Sequence, residues 1–213
     1  MQKKIIDLTH TINGKMTVYP NTLKPSFEPS NTIERDGFAE LKLTMATHTG
    51  THIDAPCHLI KGEKALSDFP LDKFIGKAIV IDCERKDEIS LELLKSREND
   101  INEVEFVLFR SGWSRKWEEK DYFGKYPVLT AEAAQWLSEF KLKAVGFDYV
   151  SVDAMDASKL PNHRILLSKD ILIIENLTCL NKLPETEFDF YAIPLKIENA
   201  DGSPVRAFAE LIR

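Results

Sequence analysis

Three of the five histidines in this 213-residue chain fall inside the eleven positions His48-Thr49-Gly50-Thr51-His52-Ile53-Asp54-Ala55-Pro56-Cys57-His58. Imidazole nitrogen and carboxylate oxygen are ligands that zinc and manganese accept, and a site that leaves one coordination position open can activate water for hydrolysis. The first hypothesis is therefore a metallohydrolase. A lone histidine is more often a hydrogen-bonded core or surface group than a ligand. Four such side chains in register shift the balance, so His48, His52 and Asp54 are expected to hold metal. His58 is expected to take a direct or catalytic part, with a supporting hydrogen bond behind the ligands as its plainer reading.

Spacing constrains how these residues meet. Positions 48, 52, 54 and 58 are all even-spaced and would share one face of an extended strand. A helix would scatter them, and Pro56 would break it. In a straight strand, however, His48 and His52 would stand about 13 Å apart with parallel side chains that cannot converge on one ion. Gly50 between them permits a bulge or tight turn that brings the imidazoles together.

The elements that must position this segment are mostly strands. Short apolar, β-branched runs recur at Ile5–Leu8, Glu40–Ala46, Ala78–Asp82, Phe106–Phe109, Ala144–Phe147, Ile171–Ile174 and Tyr191–Ile197. Helices are expected over Leu91–Arg97 behind Ser90 and over Ala131–Phe140 behind the N-cap Thr130, with a shorter one near Asp153. Val104–Arg110, Thr130–Phe140 and Ala144–Phe147 form a strand–helix–strand unit. Elsewhere strands follow one another without helices. The fold class is thus α/β and strand-rich, with a mixed sheet that can curl into a barrel-like layer. Pro20–Asp36, with three prolines among polar residues, reads as a long irregular loop whose apolar residues include Phe27 and Ile33, with Phe38 just beyond it.

No linker, repeat or low-complexity tract interrupts residues 1–213, so one domain is expected. The formal charge of −6 is spread among interspersed acids and bases, which offers no basic stripe for nucleic acid and no polybasic membrane patch. The partner expected is a small molecule. The start, from Met1 to Asp7, has no apolar core of a leader or span, so the expected location is cytoplasmic. The three cysteines, Cys57, Cys83 and Cys179, form no Cys-x-x-Cys pair and argue against a disulfide framework or thiolate zinc site. Cys57 beside His58 is more ordinarily a packed thiol than a nucleophile.

A second ligand pair lies farther along. Ile171-Leu172-Ile173-Ile174-Glu175-Asn176 ends an apolar strand in a carboxylate, which is costly to bury unless paired or metal-bound. His163 is the only histidine in that half of the chain. From spacing alone, the pair reads equally as ligands or as a surface His and a strand-end Glu reaching water.

At this point the chain resembles the cyclase-like metal-dependent hydrolases of the bacterial kynurenine formamidase and isatin hydrolase type. The signature His-x-Gly-Thr-His-x-Asp-x-Pro-x-His is met at every fixed position from His48 to His58. Weaker family-like pieces follow in order: Asp7-Leu8-Thr9-His10, Tyr19-Pro20, Arg110-Ser111-Gly112-Trp113, Gly146-Phe147-Asp148 with Ser151, Leu160-Pro161 before His163, Glu175-Asn176-Leu177, and Pro204-Val205-Arg206.

The resemblance implies a swivelling β/β/α fold, a homodimer or homotetramer, and a divalent centre. That centre would be zinc, or manganese, as one ion or two. His48, His52 and Asp54 would take the first ion, His163 and Glu175 a second with Asp54 bridging, and His58 would be general acid or base. Asp148 and Ser151 look like substrate-side or supporting residues. Departures at Leu59, Asn21 and Asn162 touch the pocket rather than the metal.

The reaction expected is hydrolysis of an amide-like carbonyl, such as an N-formyl arylamine, by metal-activated water. His58 would move the proton, a task suited to an unperturbed pKa near 6.5. Tyr19, Phe38 and Trp113 are candidate aryl contacts. The rivals are ring opening or closing of a lactam or lactone at the same centre, a metal-stabilised binding protein without turnover, and a Cys57-based hydrolase that would survive chelation.

Overall fold

The computed structural model describes residues 3–212; Met1 and Gln2, part of the amino terminus read above as leaderless, and Arg213 lie outside them. The front of the chain gives β1 (Lys3–Asp7), β2 (Ser26–Asn31), α1 (Ile33–Asp36), β3 (Glu40–Thr44) and β4 (His52–Asp54). The middle gives β5 (Ile75–Asp82), β6 (Glu88–Ile89), α2 (Leu91–Lys95), α3 (Glu98–Asn102), β7 (Phe106–Arg110), β8 (Val128–Leu129), α4 (Ala131–Leu137) and β9 (Ala144–Phe147). The last third gives α5 (Pro161–Leu167), β10 (Leu172–Glu175), β11 (Phe188–Tyr191), β12 (Gly202–Pro204) and β13 (Phe208–Ile212).

Nine of these strands form one sheet in the order β1-β13-β11-β5-β7-β9-β10-β4-β12, a mixed sheet curled into a half-barrel. Its centre, β5, β7, β9 and β10, is parallel, and the strands on both flanks are antiparallel. Central strands buried on both faces need continuous apolar sequence, and Ile79-Val80-Ile81 and Phe106-Val107-Leu108-Phe109 supply it. The two-residue period sends Ile79, Ile81, Val107, Phe109, Val145 and Ile173 to the face packed with Leu94, Leu137 and Leu166. Ala78, Val80, Leu108 and Ile174 go to the other face, against Leu8, Ile53, Phe190 and Ala209.

Helix starts follow local chemistry. Ser90 and Thr130 accept the amides of Leu93 and Ala133 at 3.3 and 3.1 Å, caps worth about 1 kcal/mol each. The strand–helix–strand unit read from the sequence joins β7 to a parallel β9.

Three expectations need correction. Pro20–Asp36 is not an irregular loop throughout, because β2 and α1 lie within it and β2 pairs antiparallel with β3. Pro29 is tolerated there because a two-stranded ribbon leaves one edge of each strand unpaired. Tyr191–Ile197 is not a strand; β11 ends at Tyr191, and the segment beyond it, interrupted by Pro194, leaves Ile193, Leu195 and Ile197 exposed. The short helix expected near Asp153 begins instead at Pro161, the first-turn position where a missing N–H costs nothing.

Candidate metal centre and pocket

Strand register assembles the cluster. β4 lies between β10 and β12, with Glu175 opposite His52 and Ile173 opposite Asp54. His52 and Asp54, two residues apart, point to one face and Glu175 joins them there, while Ile53 enters the apolar core on the other face. Before the strand the chain turns at Gly50, whose φ of 68° lies in the left-handed region. That turn brings the His48 and His52 rings to 5.1 Å between centroids. His58 does not share the strand face implied by even spacing. Pro56 ends the extended segment and starts a 3-10 turn over Pro56–His58, which returns the His58 ring to 4.0 Å from that of His48. α5 delivers His163 from the far side.

Asp54 is the hub. Its Oδ1 lies 2.7 Å from His48 Nδ1 and 3.3 Å from His52 Nε2, and its Oδ2 lies 3.6 Å from His163 Nε2. Glu175 reaches His52 Nε2 at 3.4 Å and His163 Nε2 at 3.3 Å. The structure therefore brings together His48, His52, Asp54, His58, His163 and Glu175.

The outer nitrogens of two imidazoles are already committed. His52 Nδ1 donates to the Gly50 carbonyl at 2.9 Å, and His163 Nδ1 donates to Asp153 Oδ2 at 2.7 Å. Both rings thus aim Nε2 inward, the tautomer a metal ligand needs. Two overlapping sets, His48–Asp54–His58 and His52–Asp54–Glu175, place one ligand atom of each residue within 4.8 Å of the others.

Charge makes the same case. Asp54 and Glu175 are almost wholly buried, and burial alone would raise their pKa values, yet the imidazoles around them hold both carboxyls below the usual range. In return, although burial opposes a charged imidazole, Asp54 holds His48 up at about 9 and His52 at about 10, and the carboxylates Asp153, Asp54 and Glu175 raise His163 well above normal. Two buried carboxylates require positive charge, and a nitrogen–oxygen donor set of this kind suits a divalent ion. His58 behaves differently. Burial lowers its pKa, and its Nδ1 faces Asp201 Oδ2 at 3.3 Å.

The cluster floors a cavity of about 350 Å³. Val18, Tyr19, Trp117, Tyr122 and Phe123 make one apolar wall, and Leu59, Val150 and Leu160 also border the space. Tyr19–Phe123, Tyr122–Phe123 and Trp117–Tyr122 meet edge to face at 6.4, 5.7 and 5.1 Å, a packing that fixes their planes. Among the described residues, no lysine or arginine lines the cavity.

Of the side chains read from sequence as substrate-side, Tyr19 and Ser151 border the cavity. Asp148 sits at the end of β9 and accepts the amides of Ser111 and Gly112 at 3.0 and 2.8 Å, which pins the turn after β7. Phe38 is 54% exposed beside the β2–β3 ribbon and does not border the cavity. Trp113 is turned to Tyr122, donating Nε1–H to its carbonyl at 2.8 Å. Cys57 packs against the second core with its thiol pKa raised by burial, a poor state for a nucleophile.

Residues the sequence reading missed are Asp153, which orients His163, and Asp201, which contacts His48 and His58. Each is one acid among thirty-four and carries no local mark. Trp117, Tyr122 and Phe123 were equally unmarked, since aromatic residues are commonly core.

A half-barrel sheet with a histidine–carboxylate cluster at the floor of a small-molecule cavity defines the class, a metal-dependent hydrolase. The particular family follows from comparison: residues 6–154 match the Cyclase family model, described as "Putative cyclase", and the chain belongs to that family. It is 35% identical over 203 residues to a kynurenine formamidase of Bacillus cereus, with 95% of each chain covered. Among solved structures, isatin hydrolase A from Labrenzia aggregata bound to benzyl benzoate superposes with a TM-score of 0.89 at 28% identity, covering 99% of this chain and 94% of that one. An isatin hydrolase bound to the product analogue thioisatinate gives 0.88 at 26% identity, with 99% and 93% covered.

Proposed function

We propose that this protein hydrolyses the amide-like bond of a small aryl substrate, as an arylformamidase-type enzyme acting on an N-formyl arylamine. The observation that carries the reading is the cluster of His48, His52, Asp54, His163 and Glu175 at the floor of an aromatic-walled cavity. An apolar site that holds a benzene ring needs only about 150 Å³, and the cavity here, at about 350 Å³, has room for a ring and its acyl group. The similarity to kynurenine formamidases over nearly the whole chain supports the same chemistry.

A divalent ion, zinc first and manganese second, as one ion or two, would supply Lewis acidity at the carbonyl oxygen and lower the pKa of a water toward neutrality. The chain's own residues do the rest. Tyr19, Trp117 and Phe123 hold the aryl ring, and Ser151 offers a hydroxyl at the cavity edge. His58, held neutral by burial, takes the proton of the attacking water and passes it to the leaving nitrogen. Asp201 receives His58 Nδ1–H and leaves Nε2 for that transfer.

The enzyme is proposed to work in the cytoplasm as a homodimer or homotetramer. The β2–β3 ribbon supports the second point: Phe27 pairs with Leu43 and Pro29 with Leu41, so all four share one face, and both leucines are about half exposed.

Elemental analysis of untagged protein, joined to formate release from formanilide before and after chelation, tests the proposal. Turnover that persists without metal would remove its basis. Ring opening of a lactam is the second reading, favoured by the superposition on isatin hydrolases. It predicts a carboxylic acid product without formate.

A further inference from the structure

The carbonyl of Gly50 links the metal cluster to the pocket wall. It accepts His52 Nδ1–H at 2.9 Å and, from the other side, the Asn176 side-chain amide Nδ2–H, also at 2.9 Å. Asn176 Oδ1 in turn accepts the hydroxyl of Tyr122 at 2.6 Å. The amide can be set only one way round, since a flip would put Oδ1 against the Gly50 oxygen. Backbone geometry commits the same groups. Gly50 is left-handed, and an added Cβ there would stand 3.2 Å from Ile12 Cγ1. Asn176, with a φ of 57°, also has its carbonyl accepting Thr51 Oγ1–H at 2.6 Å. Tyr122 and Asn176 both border the cavity, and both are buried.

We propose that Tyr122 and Asn176 are positioning residues for His52, and that this relay ties metal affinity to what occupies the cavity beside Tyr122. The inference rests on the reading of His52 as a metal ligand. Its physical content is orientation. The imidazole is held by one hydrogen bond to a carbonyl, and that carbonyl keeps its direction because Asn176 binds its second lone pair. Without the Tyr122 hydroxyl, Asn176 Oδ1 loses its partner in a buried place, its amide is free to turn, and the Gly50 carbonyl loses its brace. His52 Nε2 then no longer points steadily between Asp54 and Glu175. Because coupling of two binding equilibria is reciprocal, a ligand that packs on Tyr122 and tightens the relay also tightens metal.

The test uses the zinc-loaded full chain and reads zinc affinity by chelator competition. Tyr122→Phe keeps the ring and removes the hydroxyl, and zinc affinity should fall about 10-fold or more, the range over which hydrogen-bond partners of metal ligands act. Tyr191→Phe, which removes a hydroxyl at the end of β11 and outside the cavity lining, should leave zinc affinity unchanged. Acetanilide, an unreactive aryl amide, should tighten zinc binding in the parent protein and do so less in Tyr122→Phe. Unchanged zinc affinity in a folded Tyr122→Phe protein overturns the proposal. Should that variant fail to fold, the imidazole N–H spectrum of the parent zinc protein decides. A His52 Nδ1 proton protected from exchange supports the relay, and one that exchanges as fast as an open imidazole overturns it. His52→Ala separates the two levels, since full zinc occupancy there would remove His52 as a ligand whatever the relay does.

Discussion

At the scale of single residues, the His58 ring stands 4.0 Å from that of His48, yet the histidines of the cluster sit in different electrostatic settings. Asp54 holds His48 and His52 as cations without an ion, whereas burial leaves His58 neutral and ready to accept a proton. His58→Ala should accordingly keep its metal in elemental analysis and lose on the order of 10²–10⁴ in turnover, the usual share of a positioned acid–base group. Metal loss equal to that of His52→Ala would make His58 a ligand.

Asp201 adds a test in pH. Its carboxylate raises the His58 pKa, so Asp201→Asn lowers that pKa further. Activity that needs neutral His58 falls as pH drops through its pKa. The acidic limb of the kcat/KM profile should thus move to lower pH in Asp201→Asn, and a limb that stays in place would separate Asp201 from the base.

At the scale of elements, the site depends on how tightly β12 lies against β4 and the turn before it. Gly202 pairs with Asp54, and a Cβ on it would stand 2.6 Å from Cε1 of His48. Gly202→Ala should displace the His48 ring and weaken metal binding by about 10-fold or more, as mispositioning a ligand does, with the melting temperature measured alongside to show that the sheet survives. The clustering of His48, His52 and Asp54 was legible in the sequence because their residue types and the Gly50 turn are local. So were the central strands, whose β-branched runs are long enough to show a period.

Gly202, Asp201 and Asp153 were not legible, because their importance comes from strands and turns brought beside the cluster by long-range pairing. His58 was recognised for its chemistry but placed on the wrong element, since an even-number rule holds only while a strand continues and Pro56 ends this one. Of the β2–β3 ribbon, β3 was legible within Glu40–Ala46, whereas β2 was hidden by Pro25 and Pro29. Asp148 drew notice for a motif that serves a turn, where its carboxylate holds two backbone amides.

At the scale of the molecule, the β2–β3 ribbon stands apart from the nine-stranded sheet. A two-stranded ribbon is marginal by itself in water. An apolar face carrying Leu41 and Leu43 gains by being covered, and a second copy of the chain is the proposed cover. The double substitution Leu41→Glu, Leu43→Glu should convert the assembly to a smaller species in light scattering. An unchanged mass would remove the ribbon as an interface between copies.

The order of the proposed ligands along the chain has a kinetic outcome. His48 to His58 come early in synthesis, but β4 is held between β10 and β12, whose residues are made much later, and His163 and Glu175 are absent until then. Contacts so distant in sequence close late in folding. On the proposed ligand set, the nascent protein holds His48, His52 and Asp54 but lacks His163 and Glu175, and cannot retain the ion by the complete set until the sheet is nearly finished. In stopped-flow refolding, capture of zinc should follow the slowest folding phase, so that the ion seals a completed sheet and does not nucleate it.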